Sequence, residues 1–215
     1  MSVAVIFLAG EINDYEGILK YVKEADYVMC ADAGTLHAEK MNIVPDMILG
    51  DMDSIESELL EKYLKKGVET RLFNVDKDKT DSHLAIDIAF EKGFDHIILL
   101  GALGSLPDHT ITNIMLLEYI CTRQGKGMIA TDNAQLVVIK DRITITNDGY
   151  DRVSLIPISE KVTGVTCTGL RYDLQNDVLY RADSRGTSNR FQEESAMIEI
   201  KDGVLLIVKA REVSI

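Results

Sequence analysis

Tryptophan is absent, and proline and cysteine number three each in 215 residues. The cysteines, Cys30, Cys121 and Cys167, are odd in number, far apart and outside any CxxC pair. That pattern argues against a disulfide framework or a zinc site and for buried thiols in a reducing compartment. No apolar run approaches the ~18 residues that span a bilayer. The opening stretch, MSVAVIFLAGEIND, has no basic region and no small-residue cleavage pattern, and it reads as a first strand. The expected location is cytoplasmic. Basic residues are scarce where they would matter for nucleic acid. Up to Gly125 there are 22 acidic residues against 11 basic, and from Lys126 onward 13 against 12, within a net charge of −12. Such a chain is a poor candidate for non-specific binding to nucleic acid. Also missing are a GxGxxG fingerprint, a Walker loop, HxxxH or HExxH spacing and a Gly-x-Ser-x-Gly elbow.

What is present is an ordinary globular balance, 46% apolar and 27% charged. The chain is long enough for a sizeable core, in one large domain or two small ones. Short apolar strands at 3–8, 27–31, 47–49, 68–73 and 96–100 alternate with helical stripes. Tyr15, Ile18, Leu19 and Val22 form one stripe, and Ile111, Ile114, Met115, Leu117, Ile120 and Cys121 another. Shorter helices are expected at 37–41, around Leu59, Leu60, Tyr63 and Leu64, and from Asp81 onward. This alternation predicts a mostly parallel sheet covered on both faces. After Gly125 the helical signal stops. Eight short strands follow, at 128–131, 135–139, 142–146, 152–157, 162–168, 178–180, 195–200 and 204–208, separated by turn formers such as Asn147-Asp148-Gly149. They predict an antiparallel sandwich or barrel.

The densest chemistry lies in Pro45-Asp46-Met47-Ile48-Leu49-Gly50-Asp51-Met52-Asp53-Ser54. A strand runs into glycine, and Asp51 and Asp53 follow at i and i+2, a spacing that aims both carboxylates the same way if the chain stays extended. Two convergent carboxylates suit magnesium together with substrate phosphates. A turn with two solvated aspartates is the competing reading. Asp76-Lys77-Asp78-Lys79-Thr80-Asp81 repeats the spacing with ammonium groups between the acids, before a helix that Thr80 or Asp81 can cap. Its competing reading is a charged turn and a helix cap. Gly101-Ala102-Leu103-Gly104 leads through Ser105-Leu106-Pro107 to Asp108 and His109, with Asn113 one turn further on. The two glycines allow close backbone approach to a phosphate or base. Ala31-Asp32-Ala33-Gly34 closes the second strand in similar fashion. His37 and His83 read as surface or cleft polar residues and His96 as a strand-edge residue. Four of five strand ends thus carry Gly/Asp-rich segments at one edge, better explained by one cleft than by four separate turns.

In order, these segments resemble the thiamine pyrophosphokinase family over nearly the whole chain. The family pattern ADGG, PDxIxGDxDS, DxTD, GGRxDH and a late Ser-Asn appears as Ala31-Asp32-Ala33-Gly34, the intact 45–54 stretch, Asp78-Lys79-Thr80-Asp81, Gly104 through His109, and Thr187-Ser188-Asn189. The closing stretch around AMIEIKDGVLLIV resembles the family's final hairpin. Departures are Ala33 for a glycine, Leu36 for a frequent asparagine and Leu106 for the usual arginine, whose charge Lys77, Lys79 or Arg190 would have to supply. The fold class expected is α/β: an N-terminal Rossmann-like three-layer parallel-sheet domain, 1–125, followed by a C-terminal all-β sandwich domain, 126–215. The resemblance implies transfer of the pyrophosphoryl group of ATP to the hydroxyl of thiamine, giving thiamine diphosphate and AMP. Magnesium would sit on Asp51, Asp53, Asp78 and Asp81, with Asp78 or Asp81 accepting the hydroxyl proton. ATP would lie against Asp32, Gly34, Lys77, Lys79, Thr80, Gly101, Gly104, Asp108 and His109. Thiamine would meet Thr187, Ser188 and Asn189, whose amide can both donate to and accept from the ring edge. A homodimer with composite sites is also implied. Two rivals of other classes are a magnesium-dependent phosphohydrolase and a non-catalytic nucleotide-binding module.

Overall fold

The structure, a computed structural model, describes residues 2–74, 78–104 and 106–211. It divides into two compact units, Met1–Asp132 and Asn133–Ile215, each mixed or all-β in its own way.

The first unit alternates strand and helix: β1 (Val3–Phe7), α1 (Tyr15–Lys23), β2 (Tyr27–Ala31), α2 (Thr35–Lys40), β3 (Met47–Gly50), α3 (Ser57–Lys65), β4 (Glu69–Leu72), α4 (Asp81–Glu91), β5 (His96–Leu100), α5 (Pro107–Thr122) and β6 (Lys126–Ala130). A short 3-10 turn, Asp32–Gly34, joins β2 to α2. The strands run parallel in the order β6-β5-β1-β2-β3-β4. The two central strands show why they are apolar throughout: residues 4–7 of β1 and 97–100 of β5 are all buried, as a sheet covered on both faces requires. Successive side chains point to opposite faces. Val5, Phe7, Val28, Cys30, Ile48, Ile98 and Leu100 meet Ile18 and Tyr21 of α1, Ala38 of α2 and Tyr63 of α3 in one core. The alternate residues, among them Ile6, Met29, Leu49 and Leu99, are buried outside that core, and α4 lies against β2 and β3. Helix starts follow their sequence signals. Asp14 accepts the Glu16 N–H at 2.9 Å before α1, Thr80 accepts the His83 N–H at 3.3 Å at the head of α4, and Pro107 opens α5.

The second unit holds β7 (Ala134–Ile139), β8 (Arg142–Thr146), β9 (Arg152–Pro157), β10 (Lys161–Thr168), β11 (Leu174–Tyr180), β12 (Asn189–Arg190), β13 (Ser195–Glu199) and β14 (Leu205–Ala210). They pair antiparallel in two sets, β12-β9-β14-β7 and β11-β10-β13-β8. Both sets feed one core, in which Val153, Leu155, Leu205 and Ile207 meet Ile145, Val165, Cys167 and Ile198.

The division falls at Asp132, later than the Gly125 expected from the loss of helical signal. Lys126–Ala130 opens no antiparallel series; it pairs in parallel with His96–Leu100 as the edge of the first unit's sheet. A strand after the last helix of an α/β unit looks, in sequence, like the first strand of an all-β one.

Candidate active site

The carboxyl ends of β1, β2, β3 and β5 open on one side of the first unit. They wall a cleft of about 280 Å³ together with the starts of α4 and α5. Its lining comprises residues 8–10, 31–33, Ser54, 80–82, Gly101, Ala102, Gly104, Leu106, His109 and Asn113.

At its acidic end, β3 runs into Gly50, whose φ of +141° suits glycine. A Cβ there would sit 2.7 Å from Asp32 Oδ1, so the missing side chain leaves room for the Asp32 carboxylate to fold over the strand end. Asp51 and Asp53 do converge, though not along an extended chain. Met52 takes a φ of +64°, and the Asp53 N–H returns to Asp51 Oδ1 at 3.2 Å, closing a turn. The Ser54 hydroxyl then donates to Asp53 Oδ1 at 2.9 Å. Asp32, Asp51 and Asp53 can place one carboxylate oxygen each within 4.8 Å of one another. Burial, reinforced by the charges of Asp51, Asp81 and Asp53, pushes the Asp32 carboxyl up to about 6, against a lowering bond from the Met52 N–H. Asp32 Oδ1 is buried with no hydrogen-bond partner among the described residues. A buried, unpartnered anion oxygen beside two further carboxylates is a donor set of hard oxygens, the kind magnesium takes.

The structure regroups the residues expected from sequence. Asp32, assigned to ATP, joins Asp51 and Asp53. Asp81 lines the cleft, whereas Asp78 is exposed and outside its lining. Thr80, Gly101, Gly104 and His109 line the cleft as well. Asp108 does not; its Oδ1 accepts the His109 N–H at 2.9 Å in the first turn of α5. Gly34 is buried where a Cβ would strike the Phe7 carbonyl at 2.2 Å, so its smallness serves packing. Lys79 Nζ lies 2.5 Å from Asp87 Oδ2, and Asp87 Oδ1 also accepts from Tyr119 and Arg123 at 2.5 and 2.8 Å. Its ammonium therefore takes part in a network that joins the start of α4 to α5. Burial alone would raise the Asp87 carboxyl, yet the bonds from Lys79 and Tyr119 hold it below the ordinary value. Lys77 lies outside the described residues, as does Asp76. Leu106, in the place of the family's usual arginine, lines the cleft and is 54% exposed.

In the second unit Thr187 and Ser188 are exposed, but Asn189 is buried and its amide is engaged. Oδ1 accepts the Tyr172 and Arg190 N–H groups at 3.0 and 2.8 Å, and Nδ2 donates to the Tyr172 carbonyl at 2.8 Å. The side chain expected to read a ring edge fastens the backbone of Tyr172. Arg190 pairs with Asp151 at 3.3 Å.

Sequence reasoning passed over residues 8–10 at the end of β1, together with Ser82, and gave Ser54 no role of its own within the 45–54 stretch. Ala9-Gly10 after a fully apolar strand was the available signal, weaker for lacking an acid. His37, read from sequence as a surface or cleft residue, is buried behind the Gly10 and Gly101 segments of the cleft wall and hydrogen-bonded on both ring nitrogens.

Fold and site together define an α/β protein with a cleft at the carboxyl edge of a parallel sheet, the edge where such sheets place their ligands, beside a cluster of carboxylates. Two family models match the chain: thiamin pyrophosphokinase, catalytic domain, over residues 18–129, and thiamin pyrophosphokinase, vitamin B1 binding domain, over residues 140–205. A thiamine pyrophosphokinase of Bacillus subtilis is 27% identical over 214 residues, covering 99% of this chain and 100% of the relative. Thiamine pyrophosphokinase 1 of Oryza sativa is 30% identical over 183 residues, 80% of this chain and 69% of the relative. The crystal structure of the thiamin pyrophosphokinase of Geobacillus thermodenitrificans superposes with a TM-score of 0.85 at 27% identity, over 100% of this chain and 99% of that one. The Bacillus subtilis crystal structure gives 0.89 at 24% identity, over 99% and 100%, and supports the fold. The chain belongs to the thiamin pyrophosphokinase family.

Proposed function

We infer that the protein is a thiamine diphosphokinase, transferring the pyrophosphoryl group of ATP to the hydroxyl of thiamine to give thiamine diphosphate and AMP. The observation that carries this reading is the coincidence of two things. Both family models match in order along the chain, and the strand ends of the first unit bring Asp32, Asp51 and Asp53 together beside a cleft. In the finer reading the first unit is a Rossmann-like three-layer domain that binds ATP, and the second is a β-sandwich that binds thiamine.

Asp32, Asp51 and Asp53 would hold magnesium, which supplies charge neutralisation at the phosphate oxygens. Phosphoryl chemistry asks a protein mainly for positioning and charge stabilisation. Gly10, Gly101 and Gly104, where a Cβ would strike a neighbouring segment, let the walls that receive the phosphates pack closely against one another. Asp81, which lines the cleft where Asp78 does not, accepts the thiamine hydroxyl proton. As that oxygen bonds to the β-phosphorus, the bridge between the α- and β-phosphates breaks and AMP departs with the bridging oxygen. Thr187 and Ser188, exposed beside the fastened Tyr172, offer polar contacts to thiamine, and a homodimer in which each chain completes its partner's site belongs to the same reading. So does a cytoplasmic setting. No helix among the described residues is long and apolar enough to cross a membrane.

The test is AMP formation from ATP, magnesium and thiamine, omitting each in turn. AMP dependent on all three is expected. Orthophosphate or pyrophosphate released without thiamine would mark a phosphohydrolase, and ATP binding without turnover a binding module.

A further inference from the structure

Three polar side chains are buried among the described residues of the first unit, Thr35, His37 and Asn113. Each donates to a backbone carbonyl in a segment that walls the cleft. Thr35 Oγ1 reaches the Asp32 carbonyl at 2.8 Å, His37 Nε2 the Gly10 carbonyl at 2.9 Å, and Asn113 Nδ2 the Ala102 carbonyl at 2.8 Å. Burying a polar side chain is favourable only where it finds a partner. Here all three partners belong to the walls.

His37 has the widest reach of the three. It stands on α2, just past the turn that carries Asp32, and it does not line the cleft. A carbonyl can only accept, so Nε2 carries the ring proton, and Nδ1 receives the Tyr15 hydroxyl at 2.8 Å. Burial holds the ring's pKa below its ordinary value, which favours this neutral form. Gly10 in turn donates its N–H to the Gly101 carbonyl at 2.7 Å, and Glu11 donates to the Leu103 carbonyl at 2.8 Å. A Cβ built at Gly101 would also meet His37 Cδ2 at 3.4 Å, so the ring edge lies directly under that turn. One imidazole thereby ties the end of β1, the end of β5 and the helix that follows the Asp32 turn.

We propose that His37 is a positioning residue for the transfer reaction, fixing the Gly10 and Gly101 turns at the spacing in which they receive the nucleotide, without touching the nucleotide. The proposal rests on the reading of the cleft as the ATP site. Neither family pattern nor motif spacing pointed to this histidine; only the bonds made by its two nitrogens do.

His37→Phe keeps a ring of similar size and removes both bonds, while His37→Gln restores an amide donor near the position of Nε2. In His37→Phe the KM for ATP should rise about tenfold while kcat stays within about threefold, the effect of losing the one bond of the two that holds a cleft wall, Nε2 to the Gly10 carbonyl. His37→Gln should bring the KM back to within about threefold of wild type. In the unliganded protein, amide hydrogen exchange across 8–12 and 100–104 should quicken in His37→Phe, recover in His37→Gln, and stay unchanged in the second unit. A lowered melting temperature with unchanged KM and unchanged exchange at these two turns would make His37 a packing residue and overturn the proposal. Failure of a folded His37→Gln to restore either readout would do the same. Should His37→Phe not fold, Tyr15→Phe is read by the same exchange measurement, with faster exchange at 8–12 expected and no change refuting. If the wild-type protein does not turn over ATP with thiamine, the functional reading falls by itself, and exchange at the two turns still decides whether His37 sets their spacing.

Discussion

Replacing Asp32 with asparagine should make the metal-free protein more stable, and the size of the gain follows from the crowding at the end of β3. Raising the carboxyl from its ordinary 3.8 to about 6 corresponds to ~3 kcal/mol at full weight. The carboxyl is only partly buried, so solvent screening reduces this to about 1–2 kcal/mol. The sign is set by the direction of the change. A carboxyl raised on folding favours the folded state below about pH 4, and this contribution is lost as pH rises through about 6. At about pH 8 the wild-type chain therefore carries the full penalty of an ionised Asp32, while an amide carries none. Asparagine keeps an acceptor for the Met52 N–H and tolerates the φ of +51° better than most residues. For a chain of this size ~1–2 kcal/mol corresponds to roughly 2–8 °C in melting temperature. Magnesium should reverse the order. At 100 times its dissociation constant a ligand adds about 2.7 kcal/mol, and the variant, one anionic oxygen donor short, should gain much less. Thermal unfolding followed by circular dichroism, at about pH 5 and pH 8 and with and without magnesium, measures all of this. If Asp32→Asn is no more stable than wild type at the higher pH without magnesium, the crowding carries no cost. If it gains as much from magnesium as wild type does, Asp32 is not a ligand.

Gly50→Ala should fold yet lose at least about tenfold in AMP formation and in magnesium-dependent stabilisation, because its Cβ would lie 2.7 Å from Asp32 Oδ1 at a φ of +141°. Asn189→Ala should cost about 1–3 kcal/mol in urea unfolding, since it leaves the Tyr172 N–H and carbonyl without their partner. A loss of thiamine affinity without a loss of stability would contradict this. Lys79→Met and Asp87→Asn should be non-additive in KM for ATP, the double variant resembling either single one, because the two groups meet at 2.5 Å. Independent effects would return Lys79 to the phosphates.

Much of the first unit was legible because burial on both faces of a parallel sheet leaves unbroken apolar runs. His96–Leu100 and Tyr27–Ala31 are bounded in the structure as the sequence predicts. Elements with few residues or mixed faces were not. Asn189–Arg190 is a two-residue strand defined by its partner Arg152–Pro157, and no local pattern marks it. Leu174–Tyr180 begins four residues before Val178, because its first half is held to β10 at Leu174 and Asp177 across two register shifts, which no local apolar alternation marks. In the site, Asp51 and Asp53 were readable from spacing. Asp32 lies close to them only because β2 and β3 are neighbours in the sheet, which is a fact of register. Asn189 and Lys79 show a different limit. Residue type told what each could bond, but whether a buried backbone or a neighbouring carboxylate had already taken those bonds depended on the fold.

The fastening of Tyr172 by Asn189 alters what that aromatic ring can offer. Its backbone is held at both polar groups, the Arg171 guanidinium stands 5.5 Å from the ring centre, and the ring is 61% exposed. An exposed tyrosine on a loose loop must give up backbone and side-chain freedom when something settles against it, a cost of the order of 1–2 kcal/mol for the backbone alone. Here the backbone share of that ordering is complete once the chain has folded. Whatever flat surface comes to rest on Tyr172 meets a ring already mounted, so more of the contact energy remains as affinity.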